Sequence, residues 1–363
     1  MVFSITLFGL LMLYSASGYM AVKSDLGSMY YLRKQGGFAL MGFLAMLFLS
    51  RFFDYHWLAK LNGIIYLASL VVVIASFFSG VASHGSSRWL RIMGVQFQPS
   101  ELMKPAVIIM LATIFTSLGY RINTRKQVVR SFLFAFFPAI GIMITNLSTA
   151  IIILGIAVFM LFVATQSYRH FFLLLSSTVL VYLGAYPLAL FLKNVGFLQG
   201  YQITRILAWK NPSDYPDVTY QTRQGLYAIA SGGIFGKGLG ESIQKFLMPE
   251  AQNDMIFTII CEELGLVGAV GLMLVYALIL FRLYEIAKNA KDLFGSFLVI
   301  GVIAHISLQA ILNIAVATNS IPNTGITLPF ISYGGTSLLI LLAEIGICLN
   351  VSWQTTLDTE NEE

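Results

Sequence analysis

The sequence predicts an all-α polytopic membrane protein with about ten transmembrane helices. Two observations on composition support this fold class. Of the 363 residues, 57% are hydrophobic and only 11% are charged, whereas soluble domains carry about 25% charged residues. The mean hydropathy is +0.79. A third observation is that apolar runs, each near the roughly 20 residues needed to cross a bilayer, recur along most of the chain.

Hydropathy places the ten spans along the chain, and it leaves one long connection between the seventh and eighth. The first span is too long for a signal peptide and has no basic segment before it, so we expect a retained helix. We predict one integral membrane domain over residues 1–352, with a connecting loop at about 193–253 and a short acidic tail at 353–363. The spans lie near 2–22, 36–52, 58–79, 102–119, 131–147, 149–166, 170–192, 254–284, 294–318 and 335–352.

The charges in the short loops predict the orientation. On the side of the two termini the loops carry ten basic residues, namely Arg51, Lys60, Arg121, Arg125, Lys126, Arg130, Arg169, Arg282, Lys288 and Lys291. The other side carries five, namely Lys23, Arg33, Lys34, Arg88 and Arg91. Since cytoplasmic loops are enriched in Lys and Arg, both termini are predicted to be cytoplasmic and the long loop extracytoplasmic.

Charge and cysteine content exclude two classes of function. The formal net charge is +5, and the basic residues are spread over loops, whereas nucleic-acid binding needs them clustered. Cys261 and Cys348 both lie in apolar runs, so they predict neither a disulfide framework nor a zinc site.

The long loop has the composition of a binding segment. Its aromatic residues alternate with cations such as Arg205 and Lys245, and residues 231–240 form a glycine-rich stretch that contains Lys237. Aromatic rings and cations suit a sugar-phosphate ligand, because backbone amides and cations meet phosphate charge. The alternative is a re-entrant loop at the membrane interface, whose aromatics form an ordinary interfacial belt.

Two charged clusters mark the ends of predicted helices. Glu101 and Lys104 lie three residues apart at the start of the fourth span, where they form either a structural ion pair or part of a cavity that also holds Arg88. Asp254 begins the eighth span, where a carboxylate acts as an N-cap or as a general base. Gly265 is expected to lie at a close helix contact.

Residues 322–337 combine two prolines, a glycine pair and several hydroxyls, including Ser332. This composition predicts a rigid loop, not a helix. Non-helical backbone near membrane depth is tolerated only inside protein or beside water, so we expect this loop to line the same cavity.

These motifs, in this order, resemble the SEDS family (shape, elongation, division and sporulation), the FtsW/RodA/SpoVE group, along essentially the whole chain. The chain departs from the family pattern at Asn253, where relatives have Thr, and at Asn146, where they have Asp. The matching segments are Tyr14–Ser17, Arg88–Trp89, Gln98–Lys104, Gly200–Arg205, Tyr220–Gln221, Ser231–Gly240, Gln244–Lys245, Pro249–Gly265 and Gly325–Gly335.

The resemblance implies an inverting peptidoglycan glycosyltransferase that polymerises lipid II on the outer face of the bacterial cytoplasmic membrane. It implies Asp254 as the catalytic base. The implied substrate-binding residues are Arg88, Glu101, Lys104, Arg205, Lys237, Lys245 and Ser332. The one candidate cofactor is a divalent cation, Mg²⁺ or Mn²⁺. Implied partners are lipid II, a class B penicillin-binding transpeptidase, and membrane proteins of the divisome or elongasome.

Two other functions remain open for such a sequence. A lipid II flippase needs an alternating cavity, which internal repeats or broken helices favour, and the hydropathy shows no clear repeat. A scaffold that only activates the transpeptidase explains the long loop but not the acid–base groups. The residues at Pro249–Ala251 and Thr324–Pro329 resemble the division and sporulation branch more than the rod-elongation branch.

Overall fold

The computed structural model describes residues 1–23, 27–79, 81–83, 86–92, 95–165 and 201–362. These residues form α-helices and three short strands, β1 (Val81–Ser83), β2 (Ser86–Ile92) and β3 (Val95–Phe97), paired antiparallel in the order β1-β2-β3. The helices are α1 (Val2–Lys23), α2 (Tyr30–Phe52), α3 (His56–Ser79), α4 (Pro99–Leu118), α5 (Arg125–Thr145), α6 (Leu147–Ala164), α7 (Tyr201–Lys210), α8 (Pro216–Gly232), α9 (Ile256–Lys288), α10 (Leu293–Ala317) and α11 (Gly335–Glu362).

The helices confirm the predicted fold class. Within the described ranges, eight helices are long and apolar enough to cross a membrane, namely α2 to α6 and α9 to α11, and α1 adds a shorter apolar stretch at Val2–Gly18. All correspond to predicted spans; the seventh predicted span, 170–192, lies outside the described residues. The last helix differs from prediction, because α11 continues through the expected tail to Glu362.

Helix α10 lies at the centre of the bundle and contacts α3, α4, α6, α8, α9 and α11. Small residues bring helices close together. A Cβ added at Gly301 of α10 would lie 2.3 Å from Ile108 of α4, and one at Gly346 of α11 would lie 2.8 Å from the Met46 carbonyl of α2. Such contacts let the backbones of membrane helices approach.

The described part of the long loop, residues 201–253, is ordered against α9. Helix α8 runs parallel to the start of α9, since Gln221 contacts Asp254 and the Gly233 carbonyl accepts from the Leu266 amide at 2.9 Å. Leu266 lies about 15 Å along α9 by helical rise. Residues 233–248 then return beside α9 to Pro249, so this segment forms a hairpin (216–249) at the depth of the first turns of α9.

Helix α9 is interrupted at Gly265, which has φ 68° and ψ −165°. The predicted helix–helix contact at this glycine is wrong. Its neighbour is the tip of the hairpin, because a Cβ at Gly265 would lie 2.3 Å from the Gly236 amide nitrogen. The Lys237 and Gly238 amides donate to the Glu262 and Glu263 carbonyls, both at 3.0 Å. Hairpin backbone therefore satisfies carbonyls that the interruption releases.

At the end of the bundle where α9 ends and α10 begins, two helix junctions meet the C-terminal half of α11. The hydroxyl of Tyr55, between α2 and α3, donates to Asp292 between α9 and α10. The Tyr55 amide donates to the side chain of Asn350 on α11 at 3.2 Å. These contacts place the 53–55 and 289–292 turns and the C-terminal half of α11 at the same end.

Candidate active site

Asp254 lies where four segments of the chain meet, namely its own segment before α9, helix α8, helix α10 and the loop 319–334. Its carboxylate accepts a hydrogen bond from Gln221 Nε2 of α8 at 3.2 Å, and its carbonyl accepts one from Asn313 Nδ2 of α10 at 2.9 Å. The fourth segment is the loop 319–334, in which a Cβ at Gly325 would lie 4.0 Å from Asp254 Oδ2. The chain therefore presents one carboxylate at a junction of elements from different parts of the sequence.

The interpretation of Asp254 as an N-cap is wrong. Met255 occupies the N-cap position of α9, and no side chain caps that end. Burial raises the pKa of Asp254 above its ordinary value, while the Arg205 charge and the Gln221 hydrogen bond act in the opposite direction. A carboxyl that faces side chains in a partly buried junction has the environment of a reactive group.

Arg205 of α7 lies on the same junction. Its guanidinium donates to the Asn323 carbonyl at 2.7 Å, and Asn323 Nδ2 donates in turn to Gln221 Oε1 at 3.4 Å. Arg205 also lines a cavity of about 70 Å³ with Trp209 and Arg223. Of the predicted substrate-binding residues, Arg205 is the one whose charge acts on Asp254.

The loop 319–334 is held by donors from several helices, which confirms the prediction of a rigid non-helical segment. Its carbonyls are hydrogen-bonded one by one to side chains of the surrounding bundle. The donor and acceptor pairs are Trp209 to Asn319, Arg205 to Asn323, Ser148 to Thr324, Asn313 to Ile326, Gln309 to Thr327 and Tyr276 to Pro329.

Lys237 and Lys245 form ion pairs on α9. Lys237 Nζ lies 2.6 Å from Glu262, which also accepts from the Ser242 hydroxyl at 2.5 Å. Lys245 Nζ lies 3.2 Å from Glu263, and both carboxylates are completely buried. These glutamates are about 12–14 Å from Asp254 along the helix. The structure therefore places each lysine beside its own glutamate on α9, away from the Asp254 junction.

Glu101 and Lys104 form a buried ion pair of 3.0 Å at the start of α4. Lys104 Nζ also donates to Gln309 Oε1 at 3.0 Å, and Gln309 Oε1 lies 3.0 Å from His305 Nε2. His305 Nδ1 lies 2.8 Å from Glu344 of α11. The pair is thus one end of a polar network inside the bundle.

The remaining two predicted site residues are Arg88 and Ser332. Arg88 is part of β2. Ser332 holds its own loop, since its hydroxyl accepts from the Leu328 amide at 2.7 Å and its amide donates to the Leu328 carbonyl at 3.0 Å.

Sequence analysis missed Gln221, Asn313 and Ser15 as site residues. Amide side chains carry no charge, so they stand out less than Asp, Glu, Lys or Arg, although Gln221 lies in a motif of the family. Ser15 donates to Glu263 at 2.5 Å, which explains a hydroxyl in α1. A second cavity of about 660 Å³ was also missed; it is lined by Arg33, Lys34 and neighbouring residues of 27–30.

Several buried acceptor oxygens near the Asp254 junction have no hydrogen-bond partner within the described part of the chain. They are Gln252 Oε1, Asn253 Oδ1, Asn313 Oδ1 and Thr324 Oγ1. Unpaired buried acceptors are costly unless a donor fills the space, and hydroxyl groups of a sugar are such donors. The described residues contain no cluster of three His, Cys, Asp or Glu side chains that could hold a metal ion.

Comparison with known proteins gives a consistent set of relatives. The family profile FTSW_RODA_SPOVE, described as "Cell cycle protein", matches residues 1–357. The chain is similar to Stage V sporulation protein E of Bacillus subtilis, with 38% identity over 95% of this chain and 93% of the relative. It is also similar to a probable peptidoglycan glycosyltransferase FtsW of Geobacter metallireducens, with 37% identity over 97% of this chain and 92% of the relative.

Two solved structures have the same fold. One is a chain from a peptidoglycan synthase complex that coordinates polymerization and crosslinking, with a TM-score of 0.79, 25% identity, and coverage of 98% of this chain and 96% of that one. The other is the rod shape determining protein RodA of Thermus thermophilus, with a TM-score of 0.69, 25% identity, and coverage of 97% and 94%.

Proposed function

The chain belongs to the FtsW/RodA/SpoVE family of membrane proteins, which acts in bacterial cell-wall synthesis, and we propose that it polymerises lipid II into glycan strands. The observation that carries this proposal is the carboxylate of Asp254 at the junction of Gln221, Arg205 and the loop 319–334.

The reaction needs one base. The 4-hydroxyl of the acceptor sugar attacks the anomeric carbon of the donor sugar, which is linked to undecaprenyl pyrophosphate, and the configuration inverts. Asp254 accepts the hydroxyl proton as the new glycosidic bond forms. The bond to the pyrophosphate oxygen breaks, and that oxygen leaves with the electron pair. A positioned general base contributes typically about 10²–10⁴-fold in rate.

The leaving pyrophosphate needs positive charge in a partly dehydrated site. Arg205 supplies it on the α7 side of Asp254, beside the small cavity. Arg33 and Lys34 line the larger cavity, and the neighbouring Tyr31 packs on Tyr333 of the loop 319–334 with ring centroids 5.1 Å apart. Lys237 and Lys245 are ion-paired to Glu262 and Glu263, so we assign them a structural role.

The interruption of α9 at Gly265 favours the flippase alternative, because transporters use broken helices of this kind. However, the hairpin backbone fills the interruption, and Glu262 and Glu263 beside it are completely buried. The polar groups at the break therefore support packing better than transport.

The physiological partner proposed for this activity is a class B transpeptidase, which cross-links the new glycan. A solved relative is part of a synthase complex that couples polymerization to crosslinking. Relatives named for sporulation and for FtsW favour a role in division or sporulation.

The test is polymerisation of fluorescent lipid II by the purified protein, with and without its transpeptidase, followed by gel separation of the glycan. We expect polymer from the natural protein and near-background polymer from Asp254→Asn, which keeps the shape and the hydrogen bond to Gln221 but cannot accept a proton. Polymer from the Asn variant at the natural rate would remove Asp254 as the base. Lipid II translocation in vesicles without polymer would instead establish the flippase.

A further inference from the structure

Two side-chain amides on one face of α10 hold the loop 319–334. Gln309 and Asn313 lie four residues apart, so they are neighbours on the helix surface. Gln309 Nε2 donates to the carbonyl and the hydroxyl of Thr327, both at 3.1 Å. Asn313 Nδ2 donates to the Ile326 carbonyl at 2.7 Å. Both amides are buried, with 2% and 0% exposure, so water does not compete for these bonds.

Asn313 also joins this loop to Asp254. The same Nδ2 that reaches Ile326 donates to the Asp254 carbonyl at 2.9 Å. Ile326 follows Gly325, the loop residue that faces the Asp254 carboxylate. One amide group therefore fixes the distance between the carboxylate and the wall opposite it.

Gln309 joins the loop to the Glu101–Lys104 pair. Its Oε1 accepts from Lys104 Nζ while its Nε2 binds Thr327. The Lys104 side chain is only 1% exposed, which leaves it no surface for a substrate. Gln309 therefore connects the Glu101–Lys104 pair to the loop that faces Asp254.

We infer that Asn313 and Gln309 are positioning residues of the transferase: Asn313 sets Asp254 against the Gly325 wall, and Gln309 connects the Glu101–Lys104 pair to the same loop. This inference rests on the proposed function. It changes the expected role of Glu101 and Lys104 from substrate binding to support of the loop.

The test measures kcat, KM and melting temperature for Asn313→Ala, Asn313→Asp and Gln309→Met in the lipid II assay. Asn313→Asp keeps the shape of the side chain but removes the donor when ionised. We expect kcat to fall about 10–100-fold with KM changed less than about twofold, since a misplacement of about 1 Å costs this much. A rise in KM alone would show substrate binding, and a natural kcat in all three variants would overturn the inference.

The matched control is Asn350→Ala. Asn350 is also buried, and its side-chain amide also makes hydrogen bonds, with the Tyr55 amide, the Ser50 carbonyl and the Gln354 side chain, but at the far end of the bundle. It should lower the melting temperature to a similar degree without changing kcat below that temperature. An equal loss of kcat in Asn350→Ala would show that the Asn313 effect is only a stability effect.

A second measurement separates this inference from the proposed function. If the natural protein makes no polymer, the proposed function fails. Hydrogen–deuterium exchange then tests the positioning role alone. We expect Asn313→Ala, but not Asn350→Ala, to speed exchange in peptides that cover both 250–255 and 322–328. Unchanged exchange in these two peptides would refute the role of Asn313.

Discussion

At Asp254, burial and the Glu250 charge raise the pKa of the carboxylate, whereas the Arg205 charge and the Gln221 hydrogen bond lower it. A base works best when its pKa approaches the working pH, so the net upward direction suits the proposed role. Gln221 stabilises the ionised form without removing its access to a hydroxyl, because one carboxylate oxygen accepts that bond and the other faces Gly325.

The raised pKa of Asp254 predicts how the polymerisation rate falls at low pH, that is, the acid limb of the pH–rate profile. Asp254 must be ionised to accept a proton, so kcat/KM should fall as the pH decreases through its pKa. Because that pKa is raised, the fall should begin above the pH of about 3.9 expected for an ordinary Asp. The measurement is initial polymerisation rate against pH. Gln221→Leu removes the bond that favours the ionised form, so it should move the limb to still higher pH; an unmoved limb would contradict the assignment.

Lys245 should act on stability, not on substrate. Its ammonium pairs with Glu263, a completely buried carboxylate on α9. Lys245→Met leaves that charge without its cation, which costs about 3–5 kcal/mol, so the melting temperature in detergent should fall clearly. The double variant Lys245→Met with Glu263→Gln removes both charges and should recover much of the loss. A stable Lys245→Met protein that has lost polymerisation would restore the substrate-binding interpretation.

At the scale of elements, the interruption of α9 depends on glycine. The backbone of Gly265, at φ 68° and ψ −165°, lies in a region that only glycine occupies readily. Gly265→Ala should cost about 1–3 kcal/mol from backbone strain alone, and the hairpin tip must also move to make room. Gly271→Ala is the matched control, since a Cβ there meets nothing within 4 Å and alanine favours a helix.

The comparison of the two glycine variants is a thermal melt in detergent. We expect Gly265→Ala to melt lower and Gly271→Ala to melt at or above the natural temperature. Equal melting temperatures would show that the interruption of α9 does not depend on glycine at position 265.

The elements differ in how far the sequence predicted them. Apolar periodicity and length were enough for the spans, and the prolines and glycines at 322–337 were enough for the loop. For the hairpin, the sequence left two interpretations open, a binding segment and a re-entrant loop. Its depth depends on which backbone amides fill the gap at Gly265, and the sequence does not show this. Likewise the partners of Lys237 and Lys245 could not be read from composition, since a cation beside aromatics looks the same whether it binds phosphate or a buried glutamate.

At the scale of the whole molecule, two polar clusters lie at opposite ends of the bundle. Asp254, Arg205 and the loop 319–334 lie at one end. The other end holds the turns at 53–55 and 289–292, where Asp292 accepts from Tyr55 and His56 lies 3.0 Å from it. There Arg51 lies 3.9 Å over the ring of Trp353. The described helices thus separate the candidate active site at one end of the bundle from a second hydrogen-bond network at the other end.

This division leads to a prediction of orientation. The end with Arg51 and the 289–292 turn belongs to the side whose loops carry the excess of basic residues, and cytoplasmic loops carry such an excess. Lipid-linked disaccharide is polymerised outside, so the Asp254 end must face outward if the proposed function is right. Reporter fusions after Arg125 and after Lys288 should therefore be active only in the cytoplasm, and a fusion at Pro212 only outside. Single cysteines at the same positions of the full-length chain, labelled from outside the cell, repeat the measurement without a fusion. A cytoplasmic position of Pro212 by both methods would put Asp254 on the wrong side of the membrane for polymerisation.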